Sequence, residues 1–228
     1  MRIIAGKFKG KKLLTTESKN SLLRPTTDKN RQAIFNVITS TNFLNHNNFS
    51  IENSKILDLC CGSGALAIEA ISRGAKFATL VDNNPHNLNL AKNNSHHLQI
   101  SEKFEFISNY VEKLPYNQNY FDLIFLDPPY KSDYLRLVKN LITNNWWQKK
   151  SILIIELNFK NNNLINEEAI KMISGTRGIK QNFQKIIQEL SNNLNKILAP
   201  ELNNLKLNLN LIDCKKYGET LFLLLKLH

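Results

Sequence analysis

Hydrophobic and polar positions change rhythm along this chain, and each rhythm predicts an element. Residues 1–16 set short apolar pairs between basic residues, which predicts a strand or hairpin turning at Lys9-Gly10. Thr26, Thr27 and Asp28 offer caps for a helix in which Ala33, Ile34, Val37 and Ile38 recur at helical spacing. Residues 39–54 are polar and Asn-rich and read as a connector. Beyond it the pattern alternates. KILDLC (55–60) reads as a buried strand, CGSG as a turn, and ALAIEAISRG as a helix ending at Gly74. KFATLVD (76–82), FEFIS (104–108), YFDLIFLD (120–127) and SILIIEL (151–157) read as further strands, with HNLNLAKNNSHHL (86–98) and YLRLVKNLI (134–142) as helices. Residues 158–168 read as an Asn-rich loop, and 178–198 as an amphipathic helix. LKLNLNLID (205–213) alternates as a half-buried strand, KYGE (216–219) supplies a turn, and TLFLLLKL (220–227) closes a C-terminal hairpin. Strand and helix in alternation predict an α/β fold with a mostly parallel sheet and right-handed crossovers.

Composition narrows the setting. At 228 residues with 42% hydrophobic content, the chain suits one domain with a sizeable core. A mean hydropathy of −0.31 and the lack of a long apolar run argue against a membrane span. The opening MRIIAGKFKGKK is too basic and too broken by glycine for a signal peptide. Three cysteines, Cys60, Cys61 and Cys214, make neither a disulfide framework nor a metal knuckle, so a cytoplasmic setting is expected. The five histidines show no ligand constellation, and no metal is expected.

Charge adds a partner. The formal net charge is +11, and residues 1–31 carry nine basic side chains against two acids, or +7 of that total. Such a concentration is the footprint of a polyanion binder, and Arg2, Lys7, Lys9, Lys11 and Lys12 lead it.

Two places carry chemistry. In DLCCGSGALAIEA, Gly62 and Gly64 stand where a strand hands over to a helix, permitting positive φ and close approach of a ligand. Asp58 precedes the glycines and Asp82 ends the next strand, placed to hold ribose hydroxyls. An acid before the glycines suits a cofactor with a positively charged amino acid end and a sulfonium, S-adenosyl-L-methionine rather than NAD. The second place is DPPY (127–130), where an apolar strand stops on an acid and two prolines that cannot donate to a ladder. The Asp127 carboxylate and the Pro128 carbonyl offer two acceptors for an exocyclic amine, and Tyr130 an aromatic face for a base.

With these residues in view, RIIAGKFKGKKL (2–13), RPTTDKNRQAIFNVI (24–38), DLCCGSGALAIEAISRGA (58–75), TLVDNN (79–84) and FDLIFLDPPY (121–130) together resemble the bacterial 16S rRNA guanine-N2 methyltransferase family of the RsmD type. The resemblance covers residues 1–157 and resumes at YGETLFLLLKL. It implies a Rossmann-like class I S-adenosylmethionine-dependent fold with a seven-stranded sheet, an antiparallel C-terminal hairpin and methyl transfer to N2 of one guanine in the small ribosomal subunit. It also implies a monomer. The cofactor set becomes Asp58, Cys60, Gly62, Gly64, Asp82, Asn83 and Asn109, the last near adenine. Arg24, Thr27 and Arg31 join the RNA-facing residues, and Asp127, Pro128 and Tyr130 form the target-base site. The expected organisation is a basic RNA-contacting extension over 1–45 and a methyltransferase domain over 46–228, with an insertion at about 158–210. Three departures stand out: Asn109 occupies a place where an acid is frequent, Asn83 and Asn84 follow Asp82 where an acid is often found nearby, and 158–210 exceeds what the fold needs. The same turn would serve a methyltransferase acting on adenine N6 of DNA or another RNA. A non-catalytic RNA-binding protein on a degenerate fold is the reading from another class.

Overall fold

The computed structural model describes residues 1–15, 28–40, 43, 46–129, 131–158, 180–217 and 219–228. They divide into two compact units, Met1–Val111 with Phe121–Leu126, and Glu112–Tyr120 with Asp127–His228. Seven strands form one sheet: β1 (Lys55–Leu59), β2 (Phe77–Asp82), β3 (Phe104–Ser108), β4 (Leu123–Leu126), β5 (Ile152–Asn158), β6 (Leu209–Tyr217) and β7 (Thr220–Leu227). Their order is β3-β2-β1-β4-β5-β7-β6. β1 pairs in parallel with β2 on one side and β4 on the other, β2 pairs in parallel with β3, and β7 runs antiparallel to both β5 and β6. The sheet is therefore mostly parallel, closed by an antiparallel C-terminal hairpin as expected. The chain reverses its direction of travel between β1 and β4, and ligands collect at such a switch beyond the carboxyl ends of the strands.

In the first unit, helix α1 (Asp28–Ile38) buries Ile34, Phe35 and Ile38, and the Phe35 ring centroid lies 5.8 Å from that of Phe125 on β4. Helix α2 (Ala65–Ser72) is buried at every position, including its one charged residue, Glu69, which is 0% exposed. A carboxylate so placed needs partners. Four groups supply them. The Ile4 and Ala5 N–H groups donate at 2.8 and 3.0 Å, Arg73 Nε donates at 2.9 Å, and Arg31 Nε lies 3.7 Å away. Ser72 continues the anchoring at the end of α2: its hydroxyl donates to Ala5 O and accepts from Phe8 N–H, while its carbonyl accepts from Lys7 N–H. The chain passes so close that a Cβ on Gly6 would stand 1.9 Å from Ser72 O, and Gly6 adopts φ +80°. This docking alters the predicted N-terminal hairpin. Its arms meet in a single bridge, Arg2 to Lys12, because the Ile4 and Ala5 amides turn to Glu69 instead of a partner strand.

Helix α3 (Pro85–His97) follows β2 and is capped by Asn84, whose side chain accepts from His86 N–H. The adjacent His96 and His97 are exposed, as their polar surroundings suggest.

In the second unit, α4 (Tyr134–Thr143) buries Tyr134, Leu137, Val138, Leu141 and Ile142. Trp146 and Trp147 are buried behind it and donate to Pro115 O and Ser151 O. Helices α5 (Lys180–Ile197) and α6 (Ala199–Asn204) occupy the described part of the expected insertion. Leu190, Leu194, Leu198 and Leu202 are all buried, and Lys139 on α4 pairs with Glu201 at 3.1 Å. Asn195 brackets the start of β6, accepting from Leu209 N–H at 3.0 Å and donating to Leu209 O, while the Ser191 hydroxyl donates to that carbonyl and accepts from Leu211 N–H. The strand predicted over 205–213 is displaced to Leu209–Tyr217, because α6 continues to Asn204 and a turn at Leu205–Lys206 intervenes. No helix among the described residues is long and apolar enough to cross a membrane.

Removing the Glu69 carboxylate strands buried cationic and backbone groups at once. Glu69→Ala is expected to cost about 3–5 kcal/mol in urea unfolding, and Glu69→Gln, which keeps an acceptor, clearly less. An Ala variant as stable as the parent would show that the carboxylate is dispensable.

Candidate active site

The turn after β1 is the tightest backbone in the first unit. Cys60, Gly62 and Gly64 adopt left-handed φ values of 59°, 54° and 73° within five residues. The two glycines differ in what they accommodate. A Cβ on Gly64 would stand 2.9 Å from Leu80 Cδ2 and 3.1 Å from Ala91 Cβ, so this glycine lets α3 and β2 pack against the loop. A Cβ on Gly62 would meet nothing within 4 Å, so that residue faces open ground.

Three side chains hold the loop from beneath. Asp82 is 4% exposed and accepts from Gly62 N–H at 2.9 Å, Asn84 N–H at 2.9 Å and Asn87 Nδ2, which lies 3.2 Å from both carboxylate oxygens. Asp58, buried on β1, accepts from Ala67 N–H at 3.1 Å and so caps the first turn of α2. Asn94, buried on α3, donates to Ser63 O at 3.0 Å. Asn83 is exposed beside the loop, and Cys60 is half-buried. Asn109 follows β3; its N–H donates to Asp82 O at 3.2 Å, and its Oδ1 accepts from Tyr110 N–H at 2.8 Å. The loop thus gathers Asp58, Cys60, Gly62, Gly64, Asp82, Asn83 and Asn109 in one unit. Both acids meet the protein's own amides, a loop-organising task that a strand-end acid does not announce in sequence. Among the described residues no group of three or more His, Cys, Asp or Glu could hold a metal ion.

The second place of interest begins the other unit. Asp127 is half-buried, Pro128 buried and Pro129 exposed. Pro129 O accepts from Ser132 N–H at 2.8 Å, and Asp133 caps α4 by accepting from Arg136 N–H at 3.1 Å. The turn is thus followed by a short closed loop and a helix capped at Asp133. Tyr130 lies outside the described residues, as do Arg24 and Thr27.

The basic residues of the N-terminal segment reach solvent: Arg2, Lys7, Lys9, Lys11 and Lys12 are all exposed. The Lys7 and Lys11 ammonium groups lie 5.5 and 5.4 Å from the centroid of the buried Phe8 ring, which holds both close to it. Arg31 departs from expectation. It is 0% exposed, and its guanidinium is spent on Asp28, Glu69 and the Arg2 carbonyl, so it braces the segment instead of presenting charge to a polyanion.

A family model described as conserved hypothetical protein 95 matches residues 1–186. A ribosomal RNA small subunit methyltransferase D of Buchnera aphidicola subsp. Baizongia pistaciae is 34% identical over 166 residues, 72% of this chain and 80% of that protein. The chain belongs to the RsmD-type methyltransferase family. Another relative, a methylase of Rickettsia prowazekii named RP545, is 34% identical over 203 residues, covering 69% of this chain and 85% of its own length. In fold, the Escherichia coli protein yhhF superposes with a TM-score of 0.66 at 22% identity, over 99% of this chain and 97% of that one. The family's matched span includes both the glycine loop and the Asp127-Pro128 turn.

Sequence reasoning missed Glu69, Asn87 and Asn94. Glu69 did leave a trace, as the lone charge in the otherwise apolar ALAIEAIS. The asparagines were hidden in a helix rich in asparagine.

The cysteines by the loop test its electrostatics. Burial, then the Asp58 and Asp82 carboxylates and Cys60, hold the Cys61 thiol well above its ordinary value. Burial, with Asp213, pushes Cys214 up to about 12. Raised values keep both as unreactive thiols at pH 8. Iodoacetamide at that pH is therefore expected to label Cys60 first, read by peptide mass spectrometry; prior labelling of Cys61 would contradict the buried loop.

Proposed function

We propose that this protein transfers a methyl group from S-adenosyl-L-methionine to the exocyclic N2 of a guanine in 16S rRNA of the small ribosomal subunit, acting as a monomer. The observation that carries the reading is the Asp127-Pro128 turn directly after β4, in a chain that belongs to this family and keeps a glycine loop after β1. The relative from Buchnera named for small-subunit rRNA methylation supports the substrate class.

The open side of Gly62 fits a ligand lying against backbone, and the surrounding residues divide the work of holding it. When bound, the cofactor supplies an electrophilic methyl on a positively charged sulfur. The Asp58 and Asp82 carboxylates, which hold the loop, would supply negative charge to complement that cation. Asp82 receives the ribose hydroxyls by exchanging its two longest contacts, the 3.2 Å pair from Asn87. Asn109 donates its amide nitrogen to the adenine, since its oxygen is already engaged by Tyr110 N–H. Cys60 and Asn83 flank this cradle.

The target amine is a poor nucleophile because its lone pair is delocalised into the base. Asp127 and the Pro128 carbonyl accept its two N–H protons and draw the nitrogen towards tetrahedral geometry, which frees the lone pair for attack. Buried Pro128, and Pro129 tied to Ser132, keep these acceptors in place before the base arrives, so little reorganisation is needed in the transition state. As the new N–C bond forms, the S–C bond to the methyl group would break with its electron pair going to sulfur, leaving neutral S-adenosylhomocysteine; the methylated nitrogen is then strongly acidic, and its proton passes to the Asp127 carboxylate or to water. Tyr130 stacks on the extruded base. Arg2, Lys7, Lys9, Lys11 and Lys12 meet phosphates, with Arg24 and Thr27 completing the RNA-facing set.

The test is methyl incorporation from labelled cofactor into unmethylated small subunits, 16S transcript, tRNA and duplex DNA, with modified nucleosides identified by mass. N2-methylguanosine is expected from the small-subunit RNA alone. Asp127→Ala should lower the rate at least about 100-fold while cofactor binding by calorimetry persists. Methyladenine in the DNA or tRNA arm would replace this reading with an adenine-N6 enzyme.

A further inference from the structure

The basic N-terminal segment and the glycine loop are joined by one side chain. Asn94 is 0% exposed on α3. Its Oδ1 accepts from Leu14 N–H at 2.7 Å, and its Nδ2 donates to Leu14 O at 3.2 Å and to Ser63 O at 3.0 Å. The amide therefore pairs with the Leu14 backbone as a neighbouring strand would, and spends its remaining proton on the middle carbonyl of Gly62-Ser63-Gly64. Leu14 itself is 47% exposed, so its backbone pairing with Asn94 is a main tie at that point.

The segment's other ties also reach the same part of the fold. Ile4 and Ala5 donate to Glu69 on α2, the helix that starts at the end of the loop, and the Lys7 and Phe8 N–H groups donate to Ser72 at its end. Between the ties at residues 4–8 and the one at 14 lie Lys9, Lys11 and Lys12, and these side chains and that of Lys7 are all exposed. Leu13 N–H donates to Met1 O, so the two arms move together. Leu14 and Ser63 thus share one side-chain amide, which links the end of the lysine-bearing stretch to the glycine loop.

We propose that Asn94 is a positioning residue that couples occupancy of the basic segment to the order of the cofactor loop, so that RNA and cofactor bind cooperatively. The inference rests on the function proposed above. Coupling between sites is reciprocal: RNA tightens the cofactor by the same factor as the cofactor tightens RNA. It predicts that the cradle holds the cofactor more tightly when the protein sits on its RNA.

The experiment uses S-adenosylhomocysteine, which binds without reacting, titrated calorimetrically with and without saturating unmethylated small subunits. Wild type is expected to bind it about tenfold more tightly with the subunits present, inside the range usual for coupled sites. Two variants act on the link at different ends. Asn94→Asp keeps an acceptor for Leu14 N–H but cannot donate to Ser63 O. Leu14→Pro removes the N–H that Asn94 accepts but keeps the carbonyl that Asn94 donates to and the Asn94–Ser63 bond, so it weakens the link without cutting it. Both are expected to bind subunits within about twofold of wild type; Asn94→Asp should show a ratio near one and Leu14→Pro a ratio clearly below that of wild type. Hydrogen exchange at residues 61–66 should be faster in the free variants than in wild type, a change that needs no ligand.

A wild-type ratio near one, with S-adenosylhomocysteine bound, overturns the coupling and leaves the proposed function standing. A tenfold ratio retained in a folded Leu14→Pro protein also overturns it, by showing that Asn94 is only a packing residue. No S-adenosylhomocysteine binding by wild type under either condition overturns the proposed function, and this inference with it.

Discussion

The buried carboxylate of Glu69 is the constraint on which the first unit depends. It cannot leave water without partners, and no residue of its own helix before Arg73 can supply them. The partners come from the chain's beginning, as the Ile4 and Ala5 amides, and from Arg31 on α1. One desolvated charge thus collects the N-terminal segment, α1 and α2. The basic segment is placed by its backbone, which leaves the side chains of Lys7, Lys9, Lys11 and Lys12 to solvent. A surface-charge device is in this way built on an internal electrostatic one.

The glycine loop follows the same economy. Asp82 and Asp58 look in sequence like residues that a ligand would claim outright, yet each already serves an amide of the loop or of α2. Asn87 and Asn94 extend the arrangement from α3. Gly62 and Gly64 take their left-handed backbone without penalty, so of the loop's three such residues only Cys60 must be held there against its side chain. Here side-chain acceptors and donors fix the loop, and the ground above Gly62 stays open.

Much of the architecture was legible in the residue pattern. Parallel strands buried on both faces run as unbroken apolar stretches, so KILDLC, ATLVD and LIFL could hardly be read otherwise. The strand-to-helix turn declared itself through Gly62 and Gly64, and the basic segment through its spacing of lysines. What stayed hidden depends on distant partners. Leu14 and Asn94 are 80 residues apart, and Ile4 and Glu69 are 65 apart, so no local window contains either pair. Arg31 was misjudged for the same reason: a cation in a motif near other cations reads as surface, and only the fold reveals the buried acid that claims it. The β6 boundary failed differently. LKLNLNL alternates well enough for a strand, but its first residues are spent on turning out of α6.

The asparagine and serine that α5 lends to β6 have a consequence for the protein in a crowded cell. β6 is the last strand of the sheet, and an outer strand with vacant amides and carbonyls is a template for another chain. The Leu209 amide and carbonyl and the Leu211 amide are already engaged by Asn195 and Ser191. The long segment before β6 therefore acts at this end as a guard against strand-to-strand aggregation, a service with value even if it never touches RNA.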